Sequence, residues 1–130
     1  MNTRSKKTDP EVILSDSDLE DCVLAAHEGK IEEAMGLLNL DTDFYSQHQD
    51  KSSIAYALMT FGEDLISEGK ISEGALAYFK AYQIDFDCEC VQKFVHFYGY
   101  PESASEVEKK IRAFEDDAKE NTHLKKKSGK

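Results

Sequence analysis

Tryptophan is absent from this 130-residue chain, proline occurs twice and glycine seven times. So few breakers leave long stretches free to hold helices, and valine and isoleucine do not cluster in the alternation of half-buried strands. No apolar run approaches the roughly 18–20 residues of a membrane span, and the opening "MNTRSKKTDP" lacks the apolar core of a signal peptide. As written, the chain is expected to be cytoplasmic, with no direct membrane insertion. Cysteine is sparse, at Cys22, Cys88 and Cys90, and three cysteines in an unsecreted chain do not suggest a disulfide framework. "CEC" with His96 offers potential metal ligands, but with poor zinc spacing and no clear fourth. Free thiols near a helix start, and no cofactor, are expected. Catalytic sets are missing too. His27, His48, His96 and His123 are scattered, and no nucleophile–base–orienter group has recognisable local sequence. Gly62 and Gly69 fall in helix and turn positions, not in a phosphate-cradling loop. The expectation is a protein that is not an enzyme.

Acidic charge is what the chain has in excess. Its formal net charge is −10, yet residues 1–10 carry +2 and residues 119–130 carry +4, which leaves −16 on residues 11–118. Residues 1–14 and 118–130 read as short, flexible or disordered basic tails around one domain at 15–117. A body this acidic would repel nucleic-acid phosphates, so nucleic acid is not an expected partner. It would attract basic peptides by steering that salt weakens. An acidic surface also serves solubility alone, and composition leaves both readings open.

Six helices or so are expected from the spacing of apolar residues and their stops. The first starts at "SDSDLED", where Ser15, Asp16 or Ser17 can cap it, and carries Leu19, Cys22, Val23 and Ala26 on one face up to Gly29. The same segment resembles an acidic-directed phosphorylation site at Ser15 or Ser17. A second helix is expected over 31–40, then a polar loop over 41–52. A long third helix, 53–68, places Ile54, Leu58, Phe61 and Leu65 inward and stops at Gly69. A fourth spans 71–84, a fifth follows "DFDCEC" and ends at Gly99 and Pro101, and a sixth starts at "PESASEVEKK" with Val107, Ile111 and Phe114 as its apolar stripe.

Glu-Gly-Lys-Ile occurs twice, at 28–31 and 68–71, an offset of forty residues. Each copy separates two helical patterns. Residues 53–86 resemble the tetratricopeptide repeat, a unit of about 34 residues made of two antiparallel helices. Leu58, Phe61, Gly62 and Leu65 match its first helix, Gly69 its turn, Gly74 the small residue at the helix contact, and Tyr78 and Ala81 its second helix. Phe86 stands where proline commonly ends the unit. Residues 18–40 look like a degenerate or capping copy, with Gly29 at the turn, Ala34 at the close contact and Leu38 at the bulky site. The fold expected is therefore all-α, built from tetratricopeptide-like antiparallel helix pairs.

Such repeats are binding scaffolds, which implies a concave stripe at Tyr56, Met59, Glu63 and Ile66, spaced three, four and three residues apart. The stripe is either a binding surface or core covered by a further helix. Glu63 stands where chaperone-tail binders of this class carry cations, which argues against an acidic ligand. "FGEDLISEGKISEGALAYFKAYQI" and "CECVQKFVHFYGYPESASEVEKKI" resemble the soluble domain of the presequence-receptor family of the mitochondrial outer-membrane translocase. The resemblance implies a shallow apolar groove that holds basic amphipathic helices at the cytosolic face of that membrane. Carried over position by position, Tyr56 and Met59 form one wall, Val91, Phe94 and Val95 the other, and Glu63 and Asp64 the acidic rim. The alternative is a structural adaptor that uses the same helices within a larger assembly.

Overall fold

The computed structural model describes residues 11–128, with side chains described as far as 116. Seven α-helices occur among the described residues: α1 (Asp16–His27), α2 (Ile31–Ala34), α3 (Thr42–Tyr45), α4 (Lys51–Ser67), α5 (Ile71–Ile84), α6 (Glu89–Tyr98) and α7 (Ala104–Ser128), with a 3₁₀ turn at Met35–Asn39. The chain is all-α, and its only strand-like feature among the described residues is an isolated parallel bridge between Val12 and Leu40. The antiparallel pair α4–α5 is the centre of the molecule. Helix α1 packs on α4, α7 packs on α5, and α6 leans against both members of the central pair.

The doubled motif makes two turns of one design. Gly29 and Gly69 have φ of +75° and +87°, in the left-handed region that glycine enters without steric cost. Gly29 N–H donates to Ala26 and Lys30 N–H to Ala25; Gly69 N–H donates to Ile66 and Lys70 N–H to Leu65. Both are Schellman turns, which satisfy carbonyls that the ending helix leaves free. The central crossing depends on missing side chains. A Cβ on Gly74 would lie 2.5 Å from Ile66 Cγ1 and 2.9 Å from the Gly62 carbonyl oxygen, and one on Gly62 would lie 2.6 Å from the Tyr78 ring. Ile54, Leu58, Phe61 and Leu65 are buried, as are Ala75, Ala81 and Ile84 from the facing helix.

Local chemistry sets the other boundaries. Ser15 caps α1 by accepting from Asp18 N–H at 3.1 Å. Helix α7 begins at Ala104, later than Pro101, because Ser103 accepts from Glu106 N–H while the Glu106 carboxylate accepts from Glu102 N–H, a variant of the capping box.

Four sequence expectations change. The helix expected over 31–40 is α only to Ala34 and then tightens to 3₁₀, since Gly36 weakens the helix and "MGLLNL" has no helical period. That tightening buries Leu37, Leu38 and Leu40 together. The loop expected over 41–52 contains α3, capped by Asp41, whose carboxylate accepts from Phe44 N–H. Residues 11–14 are a packed strap, not a tail. Val12 exchanges backbone hydrogen bonds with Asn39 and Asp41, and the Tyr45 hydroxyl binds both polar groups of Leu14. Glu11 meets Lys80 at 2.7 Å. Residues 1–10 of that expected tail lie outside the described residues. At the other end α7 runs to Ser128, past the boundary at 117, because no glycine or proline interrupts the chain between Pro101 and Gly129; residues 129–130 lie outside the described residues.

Candidate functional site

A shallow depression of about 470 Å³ lies between α4 and α6. Helix α4 contributes Tyr56, Met59, Thr60 and Glu63, which share a stripe because residues three and four apart lie on one helical face. Helix α6 contributes Cys90, Lys93, Phe94, Phe97 and Tyr98, and Tyr78 of α5 closes the floor. Tyr56 is 52% exposed and Phe97 60%, so both present aromatic surface to solvent, while Met59 and Phe94 are almost buried beneath them. The rings are held in place. Tyr56 leans on His27 at 5.4 Å between centroids, Phe94 on Tyr78 at 5.3 Å, and Phe97 meets Phe114 of α7 edge-on at 5.1 Å.

The charged groups are few. Glu63 is the one carboxylate lining the depression, and Lys93 is the one cation. Burial raises the Tyr78 phenol, and the nearby negative charge of Glu63 raises it further. Burial also raises Tyr98, with Glu115 adding to it. Both phenols therefore stay neutral at physiological pH, able to donate a hydrogen bond.

Of the residues expected at a peptide groove, Tyr56, Met59, Glu63 and Phe94 come together here. The other four lie elsewhere. Val91 and Val95 are buried against the central pair, so they hold α6 in place and do not form a wall. Ile66 fills the space over Gly74 at the α4–α5 crossing. Asp64 points away from the rim, its carboxylate near Gly29 at the end of α1. Thr60, Tyr78, Cys90, Lys93, Phe97 and Tyr98 complete the lining and were not expected there. The signal for most of the α6 side was present: residues 90, 93, 94 and 97 step at helical intervals beside the buried stripe.

No group of three or more His, Cys, Asp or Glu residues comes together to hold a metal ion among the described residues. None of the described helices is long and apolar enough to cross a membrane. Comparison with protein-family models, with curated proteins and with solved structures finds no match for the chain.

Proposed function

We propose that the chain is a non-enzymatic peptide-binding module that receives one face of an amphipathic helix in the α4–α6 depression. The observation that carries the reading is the pairing of two solvent-facing aromatic rings, Tyr56 and Phe97, across a floor of Met59 and Phe94. Rigid aromatics give much contact area for little lost side-chain freedom, and a methionine beneath them adapts to differently shaped anchors. Two leucine-like side chains one turn apart suit a trough of this kind, as in helix-in-groove recognition.

Charge supports a basic ligand. The segment 11–118 carries −16, so a cationic helix is steered toward it from any side. Within the depression, Glu63 and Lys93 oppose one another in sign, so local charge orients the ligand more than it adds affinity. Such ligands include mitochondrial presequences, in keeping with the resemblance to the presequence-receptor family; a place at the outer mitochondrial membrane rests on that resemblance alone.

Titration with a basic amphipathic peptide of about 15 residues tests the reading, with a dissociation constant of about 10–100 µM expected for so small a surface. Affinity should fall when salt is added. Tyr56→Ala and Phe97→Ala should each weaken binding about tenfold, since aromatic anchors carry much of such interfaces. Both rings are exposed, so circular dichroism should be unchanged. Absence of binding at about 1 mM peptide rules the reading out.

A further inference from the structure

Side chains two residues apart on a helix do not face each other. Cys88 and Cys90 nevertheless meet, with their sulfurs 3.1 Å apart. They can because Cys88 is the N-cap residue of α6, with φ −61° and ψ 135°, so its backbone is still extended when the helix begins at Glu89. Both thiols are partly exposed. Cys90 lines the α4–α6 depression, and both line a neighbouring one of about 450 Å³ with Ser52, Tyr56 and Lys93. A small oxidant can therefore reach the pair.

We propose that Cys88 and Cys90 form a dithiol site that a peroxide-class two-electron oxidant converts reversibly into an intrachain disulfide at the entrance to α6. Cys88, outside the helix, meets the oxidant first. Its sulfur takes one oxygen from the peroxide, giving a sulfenic acid and one water. The Cys90 sulfur then attacks the Cys88 sulfur. The S–O bond breaks, the S–S bond forms, and the departing hydroxide takes the Cys90 proton to give the second water. Cys90 serves as the resolving thiol because its sulfur already lies against that of Cys88; burial, and then the hydrogen bond with Cys88, raise its thiol, so the step quickens as pH rises. An external dithiol reverses the change and becomes a disulfide itself. Only one residue separates the cysteines, so the closed ring is short and strained, which makes the bond easy to reduce.

Cys22 is the internal control. It sits on α1 against Gly36, and burial, with Asp18 and Asp21 adding to it, raises its thiol. The dithiol chemistry does not depend on what the depression binds.

The test is intact-mass measurement of the full chain after dilute hydrogen peroxide, under non-reducing conditions, followed by peptide mapping. The expected result is loss of two hydrogens, a Cys88–Cys90 link, and full reversal by dithiothreitol. Cys22→Ser should keep the link; Cys88→Ser and Cys90→Ser should lose it. An unchanged mass, sulfinic acids without a link, a disulfide-bonded dimer, or a link to Cys22 would each overturn the proposal. The decisive measurement is made on the unsubstituted chain, so it stands even where a variant fails to fold.

Discussion

The two Glu-Gly-Lys-Ile segments make the same turn and then diverge. After Gly69, α5 continues for 14 residues; after Gly29, α2 stops at Ala34 and gives way to a 3₁₀ turn. The reason lies at the helix crossings. With the forty-residue offset, Cys22 corresponds to Gly62 and Ala34 to Gly74. In the second copy both helices give up a side chain, so the backbones of α4 and α5 come within contact of each other. In the first copy Cys22 keeps its side chain, and the room is made by Gly36, where an added Cβ would lie 3.2 Å from the Cys22 sulfur. The glycine of the first copy lies at 36, two residues past the position of Gly74, where it lowers helix propensity without opening a backbone-to-backbone crossing. The shared turn thus does not set the length of the helix after it, and the small residue at the crossing decides whether a full helix pair forms.

Exchanging the crossing residues tests this comparison most severely. Gly74→Ala puts into the second copy the residue that the first copy already has. Helix propensity alone would stabilise by about 1 kcal/mol. The new methyl meets a backbone carbonyl, which cannot yield cheaply, and overpacking of about 1–3 kcal/mol should leave a net loss of up to about 2 kcal/mol. Gly36→Ala meets only the Cys22 sulfur at 3.2 Å, so it should be near neutral. Urea denaturation of the two variants decides, and a stabilised Gly74→Ala would show that the crossing is not close-packed.

Lys80 links the copies directly. It is 6% exposed, donates to the Leu40 carbonyl at 2.9 Å, and pairs with Glu11 at 2.7 Å. Lys80→Met keeps the aliphatic stem but leaves that carbonyl without its donor, and should cost about 1–2 kcal/mol. Glu11→Gln should cost less, since Glu11 is half exposed and its partner keeps the Leu40 bond. If the two substitutions cost the same, the ion pair, not the carbonyl, ties the first copy to the second.

The central pair was legible because glycine stops and apolar period agree there: α5 was expected at 71–84 and is found at Ile71–Ile84. The first copy was harder to read because Leu37, Leu38 and Leu40 have no single period, and because the Tyr45 hydroxyl binds the Leu14 backbone across 31 residues. At the candidate site the α4 half was readable, while on α6 the helical step of residues 90, 93, 94 and 97 was readable but not the face it serves. Periodicity says which residues share a face, but not which of two neighbouring faces meets the rest of the protein. Val91 and Val95 took the inner face, and Cys90, Lys93 and Phe97 the outer. Asp64 went astray for a related reason: it lies about 100° round α4 from Glu63, on the side that faces Gly29 at the end of α1.

The smallest effect asks whether the two turns are as alike in energy as in geometry. A Cβ on Gly69 would meet nothing within 4 Å, and one on Gly29 would meet only Asp64 Oδ2 at 3.9 Å. Alanine at either position therefore carries a backbone cost alone, about 1 kcal/mol for an L-residue held at positive φ. The expected losses are equal, and the double variant should lose their sum, since the two turns share no hydrogen-bond partner. Denaturant midpoints at unchanged slope would measure this. Should Gly29→Ala cost clearly less than Gly69→Ala, the first turn opens without unfolding the rest, and the region around α2 is a separate, weaker cooperative unit. Equal costs would mean that the strap at residues 11–14 and the Lys80 tie hold the first copy as firmly as the second.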